Sequence, residues 1–154
     1  MTTPYHRLAA LGLTLPQAPA AAANYVPTLR TGNLLHVSGQ GPLGPDGKLR
    51  TGKVGRDISA EHAYEHARLA GLTLLAQVHA ALGDLARITQ VVKLLGMVNA
   101  TEDFQQHPQV INGCSDLLVA VLGDSGRHSR SAIGVGSLPF GISVEVEATF
   151  EVRD

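Results

Sequence analysis

The sequence predicts an α+β fold in which two helices pack on one face of a β-sheet. Several short segments alternate between apolar and polar residues, one long segment repeats apolar residues every three or four positions, and one segment is apolar on both faces. In chain order these patterns give ββ(β)αβαββ, which is typical of helices segregated to one side of a sheet. No internal repeat or linker divides the chain, so residues 1–154 are predicted to form a single domain.

The composition indicates contact with other subunits and argues against a nucleic-acid partner. Charged residues make up only 16% of the 154 residues, where about a quarter is usual, so part of the surface is expected to be buried in an assembly. The net charge of -1 disfavours binding to nucleic acid or to an anionic membrane through general electrostatics. No apolar run approaches the roughly 18 residues that span a bilayer, and the single cysteine excludes an intrachain disulfide.

The N-terminal residues 1–24 are predicted to form a short amphipathic helix followed by an extended arm. Arg7 precedes an apolar stretch over residues 8–15, as in a secretory signal, but Gly12 and Thr14 interrupt the stretch. We therefore expect a cytoplasmic protein. The arm is rich in proline and alanine and is expected to lie along the body of the domain.

The following segments predict a hairpin and a long helix. Residues 25–30 and 34–38 are expected strands joined by a turn at Gly32 and Asn33, and residues 48–51 could add a third strand. Ser59 is the predicted cap of a helix that Gly83 ends. The apolar stripe of this helix consists of Ala63, Ala67, Ala70, Leu74, Val78 and Ala81.

A central strand and a second helix come next, and two alternating strands end the chain. Residues 88–98 are apolar on both faces, which predicts a buried strand, and residues 108–122 are predicted to be helical. Residues 130–136 and 142–152 alternate with a period of two. We expect these last two segments to pair as a hairpin around Pro139, with Arg130 and Glu145 projecting from the same face, away from the helices.

Arg130 and Glu145 are the residues of the sequence best suited to bind a small carboxylate and to transfer a proton. A fixed guanidinium beside the small residues Ala132 and Gly134 leaves room for a carboxylate held by two hydrogen bonds. Glu145 could then accept a proton from a water molecule. The alternative is a surface ion pair between the two side chains, and the chemistry of the residues taken alone favours this alternative.

Other motifs in the sequence do not predict a cofactor or a metal. His62 and His66 fit H-x-x-E-H, which binds zinc in some proteases, but two polar residues on the solvent face of a helix explain the pattern better. Residues 39–44 match G-x-G-x-x-G, yet prolines follow where a dinucleotide-binding motif opens a helix. Cys114 falls inside the second helix and is expected to be a small buried thiol.

The C-terminal third of the sequence resembles the Rid/YjgF family of reactive-intermediate (imine) deaminases, also described as endoribonuclease L-PSP-like. Arg130, then Leu138-Pro139, then a strand with Glu145 and Glu147 follow the family pattern, including the fifteen residues from Arg130 to Glu145. Further matches over residues 25–152 are Tyr25, the Ser38-Gly39-Gln40 strand end and Asn112.

The resemblance implies a chorismate-mutase-like α+β fold, a homotrimer and clefts between subunits. In deaminating members the arginine binds the substrate carboxylate, while the glutamate and a backbone carbonyl position the attacking water. These roles fall on Arg130, Glu145 and Ala132, and Tyr25, Ser38 and Asn112 fall on pocket-lining positions. No cofactor is implied, and the implied partners are a small imine or keto acid with a carboxylate and two further copies of the chain.

The sequence departs from compact family members in three places. It has an extra N-terminal arm and an insertion around residues 105–109 and 123–128, where Gln105, Gln106 and His107 are expected to alter the pocket rim. Compact members usually carry Cys or Thr where Ala132 stands. The leading hypothesis is hydrolysis of small enamines or imines such as 2-aminoacrylate. The alternatives are a non-catalytic protein that binds small carboxylates and, less favoured by the charge, an endoribonuclease.

Overall fold

Three helices and five strands form the fold in a computed structural model, which describes residues 2–154. The helices are α1 (Pro4–Ala10), α2 (Ala60–Leu82) and α3 (His107–Leu122), and the strands are β1 (Thr28–Thr31), β2 (Leu34–Gln40), β3 (Ile88–Asn99), β4 (Ser129–Val135) and β5 (Val144–Val152). The strand order is β1-β2-β5-β3-β4, with β3 and β4 parallel and the other pairs antiparallel. The predicted α+β class with a mixed sheet is confirmed.

Local signals set the ends of α2 where the sequence predicts them. The hydroxyl of Ser59 accepts a hydrogen bond from the backbone N–H of His62 at 3.1 Å, which caps the first turn. Gly83 ends the helix in a left-handed conformation with φ of 81°, which glycine adopts without steric cost. Both signals depend only on residues within one turn of the helix end, so the helix ends can be predicted from the local sequence.

The connections through α2 and α3 place both helices on one face of the sheet. β2 and β3 are both antiparallel to β5 and therefore run parallel to each other. Parallel strands need a long crossover connection, and right-handed crossovers return to the same side of the sheet. The two helices cover that side, which we call the helix face.

The predicted hairpin between the last two strands is wrong, because β3 lies between β4 and β5. In this position β5 finds an antiparallel partner on each side, and both of its edges are hydrogen-bonded. The predicted strand over residues 48–51 is reduced to isolated bridges, Leu43 to Leu49 and Thr51 to Ile142. Pro42 and Pro45 remove backbone donors from this loop, which prevents a continuous ladder.

The two faces of the sheet differ sharply in burial. On the helix face the β5 side chains of Val144, Val146, Ala148, Phe150 and Val152 are all buried. The opposite face, which we call the open face, carries Glu145 and Glu147 from β5 and has no helix over it. Leu29 and Ile133 on this face are 58% and 43% exposed. None of the helices within residues 2–154 is long and apolar enough to cross a membrane.

Close contact between α2 and α3 depends on one glycine. A side-chain carbon at Gly113 of α3 would overlap the backbone carbonyl of Tyr64 and come within 3.0 Å of the backbone nitrogen of Arg68. Both neighbours are backbone atoms of α2, which cannot move without shifting the helix. The absence of a side chain at Gly113 therefore sets the distance between the two helices.

We expect Gly113→Ala to lower the free energy of unfolding by at least about 2 kcal/mol, because overpacking a tight interface forces the backbone apart. Chemical denaturation would measure the change. Gly136→Ala is the matched control, since no atom lies within 4 Å of a side-chain carbon added there. Equal stability of the two variants would contradict the close-contact interpretation.

Candidate active site

Glu145 lies on the open face beside a bulge at the end of β2. Val37 pairs with Ala148 and Gln40 with Val146, so Ser38 and Gly39 together face a single residue of β5. A side-chain carbon at Gly39 would lie only 2.7 Å from Oε2 of Glu145. The bulge and the bare glycine therefore make the space that the carboxyl group occupies.

The environment of Glu145 favours a carboxyl group that takes up protons readily. Partial burial raises the pKa of Glu145 above its ordinary value, and the nearby charge of Glu147 raises this pKa further. A carboxylate whose pKa is moved toward neutrality is a stronger general base than an ordinary surface glutamate. Burial and the charge of Glu147 both raise the pKa of Glu145, and neither is an oppositely charged group paired with it.

A mostly apolar cavity of about 310 Å³ opens beside Glu145. Its walls come from the N-terminal arm at residues 19–23, from the loop at Leu43 and Leu49, and from Phe140 and Ile142 before β5. Tyr25 also lines the cavity, and its hydroxyl accepts a hydrogen bond from the backbone N–H of Ala22 at 3.2 Å. Cavities with apolar walls and few polar groups are typical of small-molecule sites.

Tyr25 lines the cavity, whereas Ser38 is not one of its lining residues and precedes Gly39, which is. The hydroxyl of Ser38 donates to the carbonyl of Val26 at 2.8 Å, and the backbone N–H of Ser38 donates to the carbonyl of Pro27 at 2.9 Å. These bonds hold the chain that follows the arm against β2. Tyr25, Ser38 and Glu145 therefore form one group, which we call the Glu145 half-site.

Arg130 begins a second group at the N-terminal end of β4. Its Nη1 donates to Oγ of Ser115 at 2.8 Å, and its Nη2 donates to the carbonyl of Pro108 at 3.1 Å. Both acceptors are neutral, and none of the ion pairs found within residues 2–154 involves Arg130. The guanidinium is thus held in place while its charge remains available to an anion.

A chain of hydrogen bonds orients the side chain of Arg130. Nε2 of His128 lies 2.9 Å from Oγ of Ser115, and Nδ1 of His128 lies 2.6 Å from the carbonyl oxygen of Gly126. The carbonyl can only accept, so Nδ1 carries the proton and Nε2 accepts from the hydroxyl of Ser115. Burial lowers the pKa of His128 and keeps the imidazole neutral, and the charge of Arg130 acts in the same direction.

Asn112 and Ala132 join Arg130 in this second group, which we call the Arg130 half-site. Asn112 precedes Ser115 by three residues on α3, so both lie on the helix surface that Arg130 contacts. Ala132 follows on the same face of β4 and packs against the core. At the rim His107 covers Gly134, where an added side-chain carbon would lie 2.5 Å from its Nε2.

The two half-sites lie on opposite faces of the sheet, so the predicted common face for Arg130 and Glu145 is wrong. Arg130 pairs with Leu94, which is buried on the helix face, whereas Glu145 pairs with Met97 on the open face. The alternation along β4 was correct, but its assignment to faces was inverted. As an edge strand, β4 exposes Ile133 on the open face and turns Arg130 toward α3.

Known proteins with similar sequences and structures bear on this arrangement. A family model described as "YjgF/chorismate mutase-like, putative endoribonuclease" matches residues 5–146. The chain belongs to the YjgF family. The 2-iminobutanoate/2-iminopropanoate deaminase of Escherichia coli K12 is 32% identical to it over 139 residues, which cover 85% of this chain and 89% of the deaminase.

Two further YjgF relatives are more similar in sequence. Protein TCP17 of Trypanosoma cruzi is 44% identical over 145 residues, which cover 94% of this chain and 91% of TCP17. The crystal structure of Atu1372 from Agrobacterium tumefaciens, a protein of unknown function, superposes with a TM-score of 0.91 at 49% identity, covering 97% of this chain and 92% of Atu1372. Neither description gives an activity.

Within this YjgF fold, the prediction for the H-x-x-E-H histidines holds for one residue and fails for the other. His62 is exposed, as predicted. His66 is half-buried, and its Nδ1 lies 2.7 Å from Oγ of Ser143. Ser143 is fully buried just before β5, and a buried hydroxyl needs a hydrogen-bond partner. The side chain one turn after His62 therefore points to the sheet rather than to solvent.

The thiol of Cys114 is shielded from solvent, and the acidic and imidazole groups are spread over the described residues. Cys114 is buried in α3, as predicted, and burial raises the pKa of its thiol to about 12. Within residues 2–154 no three His, Cys, Asp or Glu side chains lie close enough together to hold a metal ion.

The positioning residues Ser115 and His128 were missed by sequence reasoning. They lie 13 positions apart and meet only because α3 ends and the chain turns back into β4. The one available signal was that Ser115 follows Asn112 by three residues on α3, which places two polar side chains on one helix surface.

We expect His66 to make the stability of the protein depend on pH. Burial lowers the pKa of His66 below 6.5, and the charges of His62 and Arg50 lower it further. The unfolded chain therefore binds the proton more readily, and stability present above pH 6.5 is lost as the pH falls below that value. His66→Gln keeps an amide that can bond Ser143 but removes the titration.

Denaturation at pH 7.5 and pH 5 would measure this effect. His66→Gln should lose less stability between the two pH values than the unsubstituted protein. His6→Gln, at an exposed histidine of α1 where glutamine can keep the capping box, is the matched control. An unchanged pH dependence in His66→Gln would show that the buried imidazole does not titrate on unfolding.

Proposed function

We propose that this YjgF protein hydrolyses small 2-imino acids, and their enamine tautomers such as 2-aminoacrylate, to 2-keto acids and ammonia. The observation that carries this proposal is the guanidinium of Arg130, which is fixed by two neutral hydrogen bonds and has no carboxylate partner in the chain. An arginine in this state suits the carboxylate of a substrate. The 32% identity to an E. coli 2-iminobutanoate/2-iminopropanoate deaminase supports the same reaction class.

Glu145 supplies the base in the proposed reaction. Its carboxylate takes a proton from water as the water oxygen bonds to the imine carbon and the C=N electron pair moves to the nitrogen. The protonated Glu145 returns that proton to the nitrogen, which gives a neutral tetrahedral carbinolamine. The C–N bond then breaks as the hydroxyl proton passes to the nitrogen, so that ammonia leaves and a carbonyl forms. The imine carbon is already electrophilic, so these steps need no cofactor. Following the family pattern, the backbone carbonyl of Ala132 helps to position the water, while Tyr25, Ser38 and Asn112 line the pocket.

The active site in this proposal is shared between copies of the chain. Arg130 and Glu145 lie on opposite faces of the sheet, with β3 between their strands, so they are roughly 10 Å apart across the strands alone. A small imino acid bound to both must therefore sit between the Arg130 half-site of one copy and the Glu145 half-site of another. The uncovered apolar side chains of the open face, such as Leu29 and Ile133, support a homotrimer built on this face.

We expect substitutions in the two half-sites to have different kinetic effects. Arg130→Ala removes two charge-assisted hydrogen bonds, worth together about 3 kcal/mol or more, which lowers kcat/KM at least about 100-fold. Arg130→Lys should be similarly poor, because an ammonium lacks the planar fork. Glu145→Gln should lower kcat about 100-fold or more with little change in 2-keto-acid affinity.

Ammonia release from freshly generated imines and calorimetric binding of 2-keto acids would measure these effects. Arg127→Ala, at an exposed arginine near the same strand, is the control for loss of positive charge. Full activity of Arg130→Ala would refute the catalytic assignment. Binding of keto acids without any turnover in the unsubstituted protein would instead indicate a carboxylate-binding protein.

A mixing experiment tests the shared site directly. Arg130→Ala and Glu145→Gln are each expected to keep about 1% of the normal activity or less, but random co-assembly of the two restores sites that take Arg130 from one subunit and Glu145 from another. In a cyclic trimer about a quarter of the sites are then intact, and about a quarter of the normal activity should return after unfolding and refolding the mixture. Light scattering should give three times the chain mass. No recovery in a mixed trimer would place both groups in sites formed by one copy.

A further inference from the structure

We propose that Ser115 and His128 set the affinity of Arg130 for a carboxylate, because they orient its guanidinium through uncharged contacts before a ligand binds. The inference rests on the proposed function, in which Arg130 binds the carboxylate of the substrate. It makes Ser115 and His128 positioning residues for binding, and it requires that the contact which holds Arg130 carry no negative charge.

The guanidinium of Arg130 has more donors than the chain uses. Of its five N–H groups, one on Nη1 donates to Oγ of Ser115 and one on Nη2 donates to the carbonyl of Pro108. No other hydrogen bond of this guanidinium is found within residues 2–154. Three donors therefore remain, and a carboxylate held by two parallel bonds needs only two of them. The orientation of the group, rather than the number of its donors, then limits binding.

The direction of the Ser115 hydroxyl is set from outside α3. A serine within a helix commonly donates its hydroxyl proton to the carbonyl four residues earlier. Ser115 donates instead to Nε2 of His128 at 2.9 Å, while Nδ1 of His128 donates to the carbonyl of Gly126 at 2.6 Å. Because the proton is held on this side, Oγ presents a lone pair to Nη1 of Arg130 at 2.8 Å.

The far end of this chain of hydrogen bonds is fixed against α3. Gly126, whose carbonyl accepts from His128, is buried, and a side-chain carbon there would overlap the backbone carbonyl of Leu118 in α3. Gly126 therefore cannot shift far without moving the helix that also carries Ser115. His128 thus bridges two points on the same rigid element, which keeps the hydroxyl of Ser115 in one direction.

A carboxylate lies next to Ser115 in the chain but is turned away from Arg130. Oδ2 of Asp116 accepts a hydrogen bond from the hydroxyl of Tyr64 in α2 at 2.7 Å. None of the ion pairs within residues 2–154 includes Arg130. A carboxylate in place of Ser115 would hold the guanidinium more tightly, yet it would neutralise the charge that attracts the ligand. The neutral hydroxyl holds the group without this loss.

Calorimetric titration of pyruvate into the assembled protein tests the contact with Ser115 without turnover. Ser115→Ala should weaken binding about five-fold or more, because the ligand must then order a long side chain by itself. Ser115→Thr keeps the hydroxyl and should restore the affinity to within about two-fold of normal. Ser115→Asp should hold Arg130 in place but weaken binding at least about 20-fold, because it neutralises the guanidinium.

His128→Asn separates the positioning role from a merely structural one. The amide nitrogen of asparagine takes the place of Nδ1 and can still donate to Gly126, but the side chain is too short to reach Ser115. We expect pyruvate affinity to fall at least about three-fold, the value of one neutral hydrogen bond. In a Ser115→Ala background the same substitution should change the affinity less than about 1.5-fold, because the contact that it removes no longer exists.

Ser129→Ala is the matched control for loss of a hydroxyl group near Arg130. The hydroxyl of Ser129 donates to the carbonyl of Val92 at 3.0 Å, so pyruvate affinity should stay within about 1.5-fold of normal. With an imine substrate, Ser115→Ala should raise KM and change kcat less than about two-fold, because Arg130 binds the carboxylate alike in the ground and transition states. Light scattering and thermal denaturation would verify that each variant is assembled and folded.

The outcomes separate this inference from the proposed reaction. Weaker pyruvate binding in Ser115→Ala and Ser115→Asp, with rescue by Ser115→Thr, in a protein that hydrolyses no imine would overturn the reaction and support the positioning role. Imine hydrolysis with normal pyruvate affinity in Ser115→Ala and His128→Asn would overturn the positioning role and leave the reaction standing. So would normal affinity in Ser115→Asp. Absence of pyruvate binding to the unsubstituted protein would overturn both.

Discussion

The opposite orientation of Arg130 and Glu145 on one sheet constrains the chemistry that this chain can perform. β3 separates their strands. Arg130 donates a hydrogen bond to α3 on the helix face, and Glu145 of β5 lies beside the bulge of β2 on the open face. Each group is held by residues of its own side, so neither can reach across the sheet by a change of rotamer. Chemistry that needs both groups at one small molecule thus requires a second copy of the chain, and the proposed reaction is possible only in an assembly.

The hydrogen bonds of Arg130 show how its guanidinium can be held in place within one copy of the chain without an ion-pair partner. A half-buried guanidinium with a carboxylate neighbour would be neutralised within the chain and would lose its attraction for a substrate anion. Here Ser115 and the carbonyl of Pro108 satisfy its donors with neutral acceptors, and His128 fixes the hydroxyl of Ser115. The uncharged imidazole matters in this chain, because a protonated His128 would repel Arg130 and could not accept from Ser115.

The sequence predicted the parts of the structure that depend on neighbouring residues. The ends of α2 follow from Ser59 and Gly83, and the period-two patterns located most of the strands. The order of strands was not predictable in this way, because whether β5 pairs with β3 or β4 depends on hydrogen-bond partners far apart in the chain. The face of Arg130 depends on that order, whereas the burial of His66 depends on its contact with Ser143, which lies 77 residues away in the chain.

The open face links assembly to the basicity of Glu145. Glu145, Glu147 and Glu151 alternate along this face of β5, and the charge of Glu147 already raises the pKa of Glu145. If a neighbouring copy covers the apolar side chains of this face, it also removes water from Glu145, and desolvation raises that pKa further. A base with a pKa nearer neutrality transfers protons more effectively, but full burial would keep the carboxyl protonated and inactive. The proposed reaction therefore requires that a neighbouring copy cover Glu145 only in part, so that water still reaches its carboxylate.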